Sequence, residues 1–431
     1  MEKKQDFRVT MQKVASKVQA NKYINSISNG LGSAMGVLIA GALFSLVDSI
    51  NIPAYQNFLT STGLKTVTSI PAAVTTNLIS LYVVFAVTNA LVKSFKQDGF
   101  SAGLLALMSF LIVTPMMTSG EGRAAITSLP VTWLGAAGIF VAMILGLVVG
   151  RIYVLVIEKE FYIKMPKGVP PTIEKAFASI VPGIIITILM LCVRGIFGAT
   201  QYGNIHKFIY TLVQVPLTHL GGGWVAYLIC TFAISMFWFL GVHGGMVVNS
   251  VMTVIWTTMR VENLTAFQNG TELPNVIAGG SFLSVYTNLG GSGATIGLAI
   301  ALIFAQSKRY KTLGKLTILP GLLGINEPLM FGLPMVLNTK FLIPLVGAPL
   351  INSVLAIIAT SIGIIPKLRG IGTPVGTPIG VRGFLEGGWR VAVFQIILVV
   401  ISFLIYYPFF KNADKAALAE ENKTEAEVAT V

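Results

Sequence analysis

The chain has 431 residues, is 54% hydrophobic and 11% charged, and carries a formal charge of +13. Soluble domains run about 25% charged, so an ordinary soluble globular protein is excluded. The positive charge needs no nucleic acid to explain it, because the lysines and arginines cluster between apolar runs as membrane topology demands.

Residues 1–26 read as a cytoplasmic amphipathic segment. Phe7, Met11, Val14 and Val18 share a helical face with lysines around it, which predicts an interfacial helix over 5–22. Apolar runs of about 20 residues then recur, enough to cross ~30 Å of hydrocarbon. Spans are predicted at 27–50, 70–92, 101–117, 133–157, 176–198, 222–241, 246–259, 280–305, 341–363 and 389–410. The first is too long for the apolar region of a cleaved signal peptide. A further apolar stretch, 317–338, is broken by Pro320, Gly321, Gly324, Pro328, Gly332 and Pro334 and is expected to dip in and return on one side. The expectation is an all-α polytopic membrane protein of about ten transmembrane helices. Basic residues flank alternate connections. Lys3, Lys4, Arg8, Lys13, Lys17 and Lys22 precede the first span, Lys93 and Lys96 follow the second, Arg151, Lys159, Lys164, Lys167 and Lys175 surround the loop after the fourth, and Lys308, Arg309, Lys311 and Lys315 follow residue 305. Loops 51–69 and 118–132 hold only Lys65 and Arg123. That alternation places both termini in the cytoplasm. Residues 411–431 are a cytoplasmic tail rich in Ala, Glu and Lys, expected to be a solvated helix or disordered.

The two halves differ. Residues 27–200 give clean spans and read as an N-terminal transmembrane scaffold. Residues 201–410 hold all three histidines and several glycine clusters, including LGGGW at 220–224, GVHGG at 241–245, LGGSGAT at 289–295 and GTPVGTPIG at 372–380. Non-helical backbone at membrane depth is tolerated only where it is buried in protein or lines a wet cavity, and transporters build substrate sites from broken helices. The second half is therefore the expected substrate-binding domain, with a linker at 199–221.

Cys192 and Cys230 both lie in predicted spans, with no Cys-x-x-Cys or Cys/His set, so neither a disulfide framework nor a metal site is expected. No cofactor is implied, and no phosphate-cradling Gly-x-x-x-x-Gly-Lys-Ser/Thr loop exists.

Lone polar residues in the broken region carry the functional reading. Glu327 is the one charged residue between Leu316 and Asn338. An ionisable group there is a functional candidate by default, although a helix cap or an arginine pair would also account for it. Asn326 beside it can donate and accept hydrogen bonds. His243 sits between glycines in a stretch, 224–259, without any charge; its alternative is a bond to a local carbonyl. His206 and His219 read as interfacial. Carboxylate, amide and imidazole together suit the hydroxyls of a neutral sugar. Among the tryptophans Trp389 is the candidate to face it, with Arg390 beside it to meet a carboxylate or phosphate; belt packing and an interfacial anchor are the alternatives. Thr377 is a further substrate-binding candidate.

LLGINEPLMFGLPMVLN, at 322–338, resembles the Gly-Ile-x-Glu-Pro signature of the EIIC membrane subunits of the sugar phosphotransferase system. GVHGG, IKMPKGVPPTIEKAFASIVP at 163–182 and GGWR at 387–390 are similar to landmarks of its lactose/cellobiose (diacetylchitobiose-like) family, in the right order from about residue 10 to 410. The resemblance implies a homodimeric permease with the EIIC fold of the glucose superfamily, re-entrant hairpins in the second half, and a bacterial cytoplasmic membrane location. It implies that Glu327 and His243 hold the sugar near the hydroxyl to be phosphorylated. The phosphate would come from a phosphocysteine on a partner EIIB, supplied by EIIA and, upstream, by HPr and EI. Relatives carry a Pro-Trp-Thr-x-Pro-Pro loop; here Pro374, Val375, Gly376, Thr377 and Pro378 stand there, with Val375 replacing the tryptophan. Two other classes remain at this stage: a proton-coupled sugar symporter with Glu327 as proton carrier, and a sensory or structural membrane protein.

Overall fold

The structure, a computed structural model, describes residues 13, 16–17, 20–50, 52–119, 126–166, 168–333 and 335–429, with side chains as far as 424. Most of the expected interfacial helix, Arg123 and Pro334 lie outside the described residues.

The chain divides into two compact units, one of 18–220 with 253–272, the other of 1–17, 221–252 and 273–431. The first unit is built on α1 (Lys22–Asp48), α2 (Ile79–Ser94), α3 (Gly99–Val113), α4 (Ile139–Glu158) and α5 (Ile180–Gly198). A short antiparallel ribbon, β1 (Met117–Ser119) with β2 (Ile126–Ser128), lies between α3 and α4. Helix α2 is central, packing on α1, α3 and α4 through Val83, Val84, Val87 and Leu91, all buried. Its Thr88 hydroxyl donates to the Gly146 carbonyl of α4 at 3.0 Å, a pairing that apolar surroundings require of a buried hydroxyl. α6 (Ile205–Gly222) contains a π-turn at Tyr210–Gln214 and is followed by α7 (Trp224–Phe239).

α8 (Gly244–Gln268) runs without a break between the two stretches of sequence. The second unit continues with α9 (Ile296–Ile303), α10 (Lys308–Leu322), α11 (Glu327–Gly332), α12 (Thr339–Ser361), α13 (Val381–Gly387) and α14 (Trp389–Ala429). α12 packs on α7 and α14, while α9 packs on α10 and α14. Buried hydroxyls stitch its interior: Tyr227 bonds Thr287, and Thr287 bonds Ser353 at 2.8 Å.

Among the described residues, six helices are long and apolar enough to cross a membrane, or seven if the bent pair α6–α7 is one span. They match the predicted spans 27–50, 70–92, 133–157, 176–198, 341–363 and 389–410, with 222–241 in the bent pair. The other three runs differ for local reasons. The run 101–117 is helical only to Val113, because Thr114 precedes Pro115 and adopts ψ 130°. The run 246–259 lies inside α8, whose last turns carry Arg260, Glu262 and Asn263. The run 280–305 is split into a helical turn at Gly280–Phe282, a π-turn at Leu283–Thr287 and α9, because Gly290, Gly291 and Gly293 have positive φ. His206 is fully buried in protein, stacked on Trp133 at 5.5 Å, with Nε2 3.0 Å from Thr114 Oγ1.

Candidate functional site

Two irregular segments of the second unit meet. The turn between α7 and α8 holds His243, and the turn between α10 and α11 ends on Asn326, with Glu327 the first residue of α11. Leu337 N–H donates to the Phe239 carbonyl at 2.9 Å, joining the segment after α11 to the end of α7. Gly291 lets the 289–295 loop approach the other turn: it has φ +103°, and a Cβ there would lie 2.5 Å from Asn326 Cγ. Asn326 is buried and donates from Nδ2 to the Ser292 carbonyl at 2.7 Å. Its amide thus ties the 289–295 loop to the turn before α11.

His243 Nε2 stands 3.8 Å from Glu327 Oε1, with the two side chains 40% and 46% exposed. The separation is too long for a hydrogen bond, and an exposed pair of this kind contributes little to stability. The backbone N–H of Met246 donates to His243 Nδ1 at 3.2 Å. Nδ1 is thus the acceptor, so the neutral ring carries its proton on Nε2, the nitrogen facing Glu327. This local contact is with an N–H group and not with the carbonyl anticipated for His243, and it orients the ring towards the carboxylate. Trp238, buried, lies with its ring centroid 4.5 Å from that of His243.

The remaining candidates are placed differently. Thr377 donates its hydroxyl to the Pro374 carbonyl at 2.8 Å. Its loop is pinned beside the site because Gly376 N–H reaches the Leu323 carbonyl at 3.2 Å and Ile379 N–H the Leu322 carbonyl at 3.1 Å. Val375, at the crest, is 86% exposed. Trp389 and Arg390 begin α14 on its surface, the guanidinium 5.7 Å from the indole centroid. Among the described residues neither hydrogen-bonds nor ion-pairs with His243 or Glu327.

A family described as Phosphotransferase system, EIIC matches residues 28–349, a range that includes His243 and Glu327. The chain belongs to that family. It is 35% identical over 421 residues to the oligo-beta-mannoside-specific EIIC component of Bacillus subtilis (strain 168), covering 95% of this chain and 94% of that one. It is 35% identical to the cellobiose-specific EIIC component of Geobacillus stearothermophilus, covering 95% and 93%. The crystal structure of ChbC, the IIC component of the N,N'-diacetylchitobiose-specific phosphotransferase system, superposes with a TM-score of 0.88 at 33% identity, covering 95% of this chain and 98% of that one. This EIIC chain is a multi-pass membrane protein, and the symporter reading finds no support in these matches.

The structure also shows polar residues of this EIIC chain that the sequence reading passed over. Glu386 on α13 is fully buried, and its carboxylate accepts from Gly370 N at 3.1 Å, Ile371 N at 3.2 Å, Gly372 N at 2.7 Å and Ser281 Oγ at 2.9 Å. Gly370 and Gly372 have φ of +78° and +73°. With Ile371 between them, this turns successive N–H groups inward as an anion-binding nest. Arg382, also buried, donates to the Ser284 carbonyl at 3.1 Å and lies against Gly324. Gln395 Oε1 accepts from Gly380 N and Gly383 N, both at 2.9 Å, and its Nε2 donates to the Val285 carbonyl at 2.7 Å. These residues hold the irregular backbone around the site. The sequence signal for the nest was two glycines one residue apart, in RGIGT.

Proposed function

We propose that this chain translocates a β-linked disaccharide and presents one hydroxyl of it, between His243 and Glu327, to a phosphocysteine on EIIB. The supporting observation is the 3.8 Å separation of His243 Nε2 and Glu327 Oε1, with Met246 N–H donating to His243 Nδ1. A hydroxyl oxygen seated beside that line, about 2.8 Å from each atom, accepts from Nε2–H and donates to the carboxylate. As the oxygen attacks phosphorus, the cysteine thiolate leaves on EIIB and Glu327 receives the hydroxyl proton. Asn326 holds the 289–295 loop to the start of α11, and Thr377 positions the adjoining loop. Trp389 and Arg390 would line the approach. Val375, where relatives carry tryptophan, leaves room for a bulkier sugar than cellobiose.

The wider assembly is part of the same proposal. The protein works as a homodimer of about ten crossings in a bacterial cytoplasmic membrane, both termini inside, with residues 27–200 as scaffold and 201–410 carrying sugar between re-entrant hairpins. EIIB and EIIA serve it, fed by HPr and EI, and the basic segment 308–315 meets the acidic, phosphate-bearing partner. The test is Glu327→Gln in purified protein. A charge-assisted hydrogen bond is worth roughly 1.5–3 kcal/mol, so cellobiose affinity should fall about tenfold or more, while vesicles supplied with phosphorylated EIIB should cease to trap sugar phosphate. Unchanged affinity and trapping would remove Glu327 from the site.

A further inference from the structure

α9 and α10 form a helical hairpin. Its open end carries the 289–295 loop and the Asn326–Glu327 turn, and its closed end is the turn at 304–307. The two helices are locked face to face. A Cβ on Gly314 would lie 2.6 Å from the Leu302 carbonyl carbon, so the α10 backbone sits directly on α9. α9 is in turn pressed on α14, where a Cβ on Gly297 would lie 2.3 Å from Phe403 N.

α14 does not end with its apolar part. It continues as a helix into the stretch after Lys411, and the carboxylates of that stretch grip the closed end of the hairpin. Asp414, buried, accepts from Gln306 N at 2.8 Å and Ser307 N at 3.0 Å. Glu421 accepts from Lys308 N at 2.9 Å, Arg309 N at 3.1 Å and Ser307 Oγ at 2.6 Å. The first N–H groups of a helix have no partner within it, and α10 opens with Lys308 and Arg309, cations at the positive end of its dipole. The two carboxylates offset both defects, and Arg309 adds an ion pair to Glu420 at 3.2 Å. A solvated tail without a role would show none of these bonds, which join residues more than 100 positions apart.

We propose that Asp414 and Glu421 are positioning residues for the sugar site: by fixing the closed end of the α9–α10 hairpin to α14, they set where its open end holds Asn326 and Glu327. The proposal rests on the reading of Glu327 as a sugar ligand. The connection is mechanical. α10 runs from the tail contacts to Leu322, and Leu322 and Leu323 accept from the Thr377 loop before the chain reaches Asn326. Release of the closed end lets the locked α9–α10 pair tilt against α14 as one body, and the displacement appears at Glu327.

The experiment uses the full chain in nanodiscs with the double substitution Asp414→Asn, Glu421→Gln. These side chains keep their volume but turn an N–H₂ group against backbone donors. Amide hydrogen exchange is followed without sugar, and cellobiose affinity is measured separately. The expected result is faster exchange at 306–309 and also at 325–330, with cellobiose affinity down at least fivefold. Faster exchange confined to 306–309, with affinity within twofold of wild type, would make the carboxylates simple helix caps and overturn the proposal. If the double variant does not fold, Glu421→Gln alone is read by the same two measurements. Failure of the site reading is separable: it would show as unchanged affinity in Glu327→Gln, whereas spread of exchange to 325–330 reports the coupling with no sugar present.

Discussion

Glu386→Gln should destabilise the second unit severely although it preserves shape. One carboxylate oxygen accepts from Gly372 N and Ser281 Oγ, and the other from Gly370 N and Ile371 N. Glutamine keeps one oxygen and presents N–H₂ in place of the other, so two buried N–H groups lose their acceptor and face another donor. At about 1–3 kcal/mol for each orphaned group, the loss is about 2–6 kcal/mol. Arg369 and Arg382 lose a nearby counter-charge as well. For a unit of this size the thermal midpoint moves roughly 2–4 °C per kcal/mol, so a fall of about 5 °C or more is expected in detergent-solubilised protein followed by intrinsic fluorescence. Glu386→Ala removes all five hydrogen bonds to the carboxylate, that from Thr373 N included, and should prevent accumulation of folded protein. A midpoint for Glu386→Gln within about one degree of wild type would refute the assignment of the nest as a stabilising element, since two unpaired buried donors cannot be that cheap.

Two other expectations concern the site and the topology. His243→Ala should impair cellobiose binding and EIIB-dependent phosphorylation together, because in the proposed site Nε2–H contacts the reacting hydroxyl; loss of phosphorylation with full binding would confine the ring to orienting that hydroxyl, and no change in either would leave it only the local bond to Met246. A reporter active only outside the cytoplasm, fused after Val431, should stay silent, and activity there would reverse the orientation drawn from the lysines.

The apolar runs announced most of the helices, because hydrocarbon imposes a length and composition that six of the spans satisfy. The run 280–305 misled because average hydropathy does not register backbone conformation: LGGSGAT is apolar enough to cross, yet Gly290, Gly291 and Gly293 turn it through positive φ. Glu327 was legible because it stood alone among apolar residues. Glu386 was not, since Arg382 and Arg390 around it made the stretch look like an ordinary charged loop. Asp414 and Glu421 were hidden for another reason. Their partners are backbone N–H groups around residue 307, which carry no side-chain signature, and only tertiary structure brings them together.

Glu327 and Glu386 show how one side chain serves opposite ends in the same unit. A carboxylate has about four acceptor positions. Those of Glu386 are filled by backbone and Ser281, so it cannot serve a ligand without abandoning buried donors. Those of Glu327 are unfilled by any hydrogen bond among the described residues, and the group is about half exposed. The proposed sugar site needs the second condition, because a group saturated by protein gains nothing from a sugar hydroxyl, and one paired tightly to His243 would have to give up that bond first. It also needs the first condition close by. An unsatisfied carboxylate on irregular backbone would otherwise find a partner by local rearrangement, and the carboxylate nest at 370–373, the Asn326–Ser292 bond and the Gln395 bridge are what keep that backbone from moving to meet it.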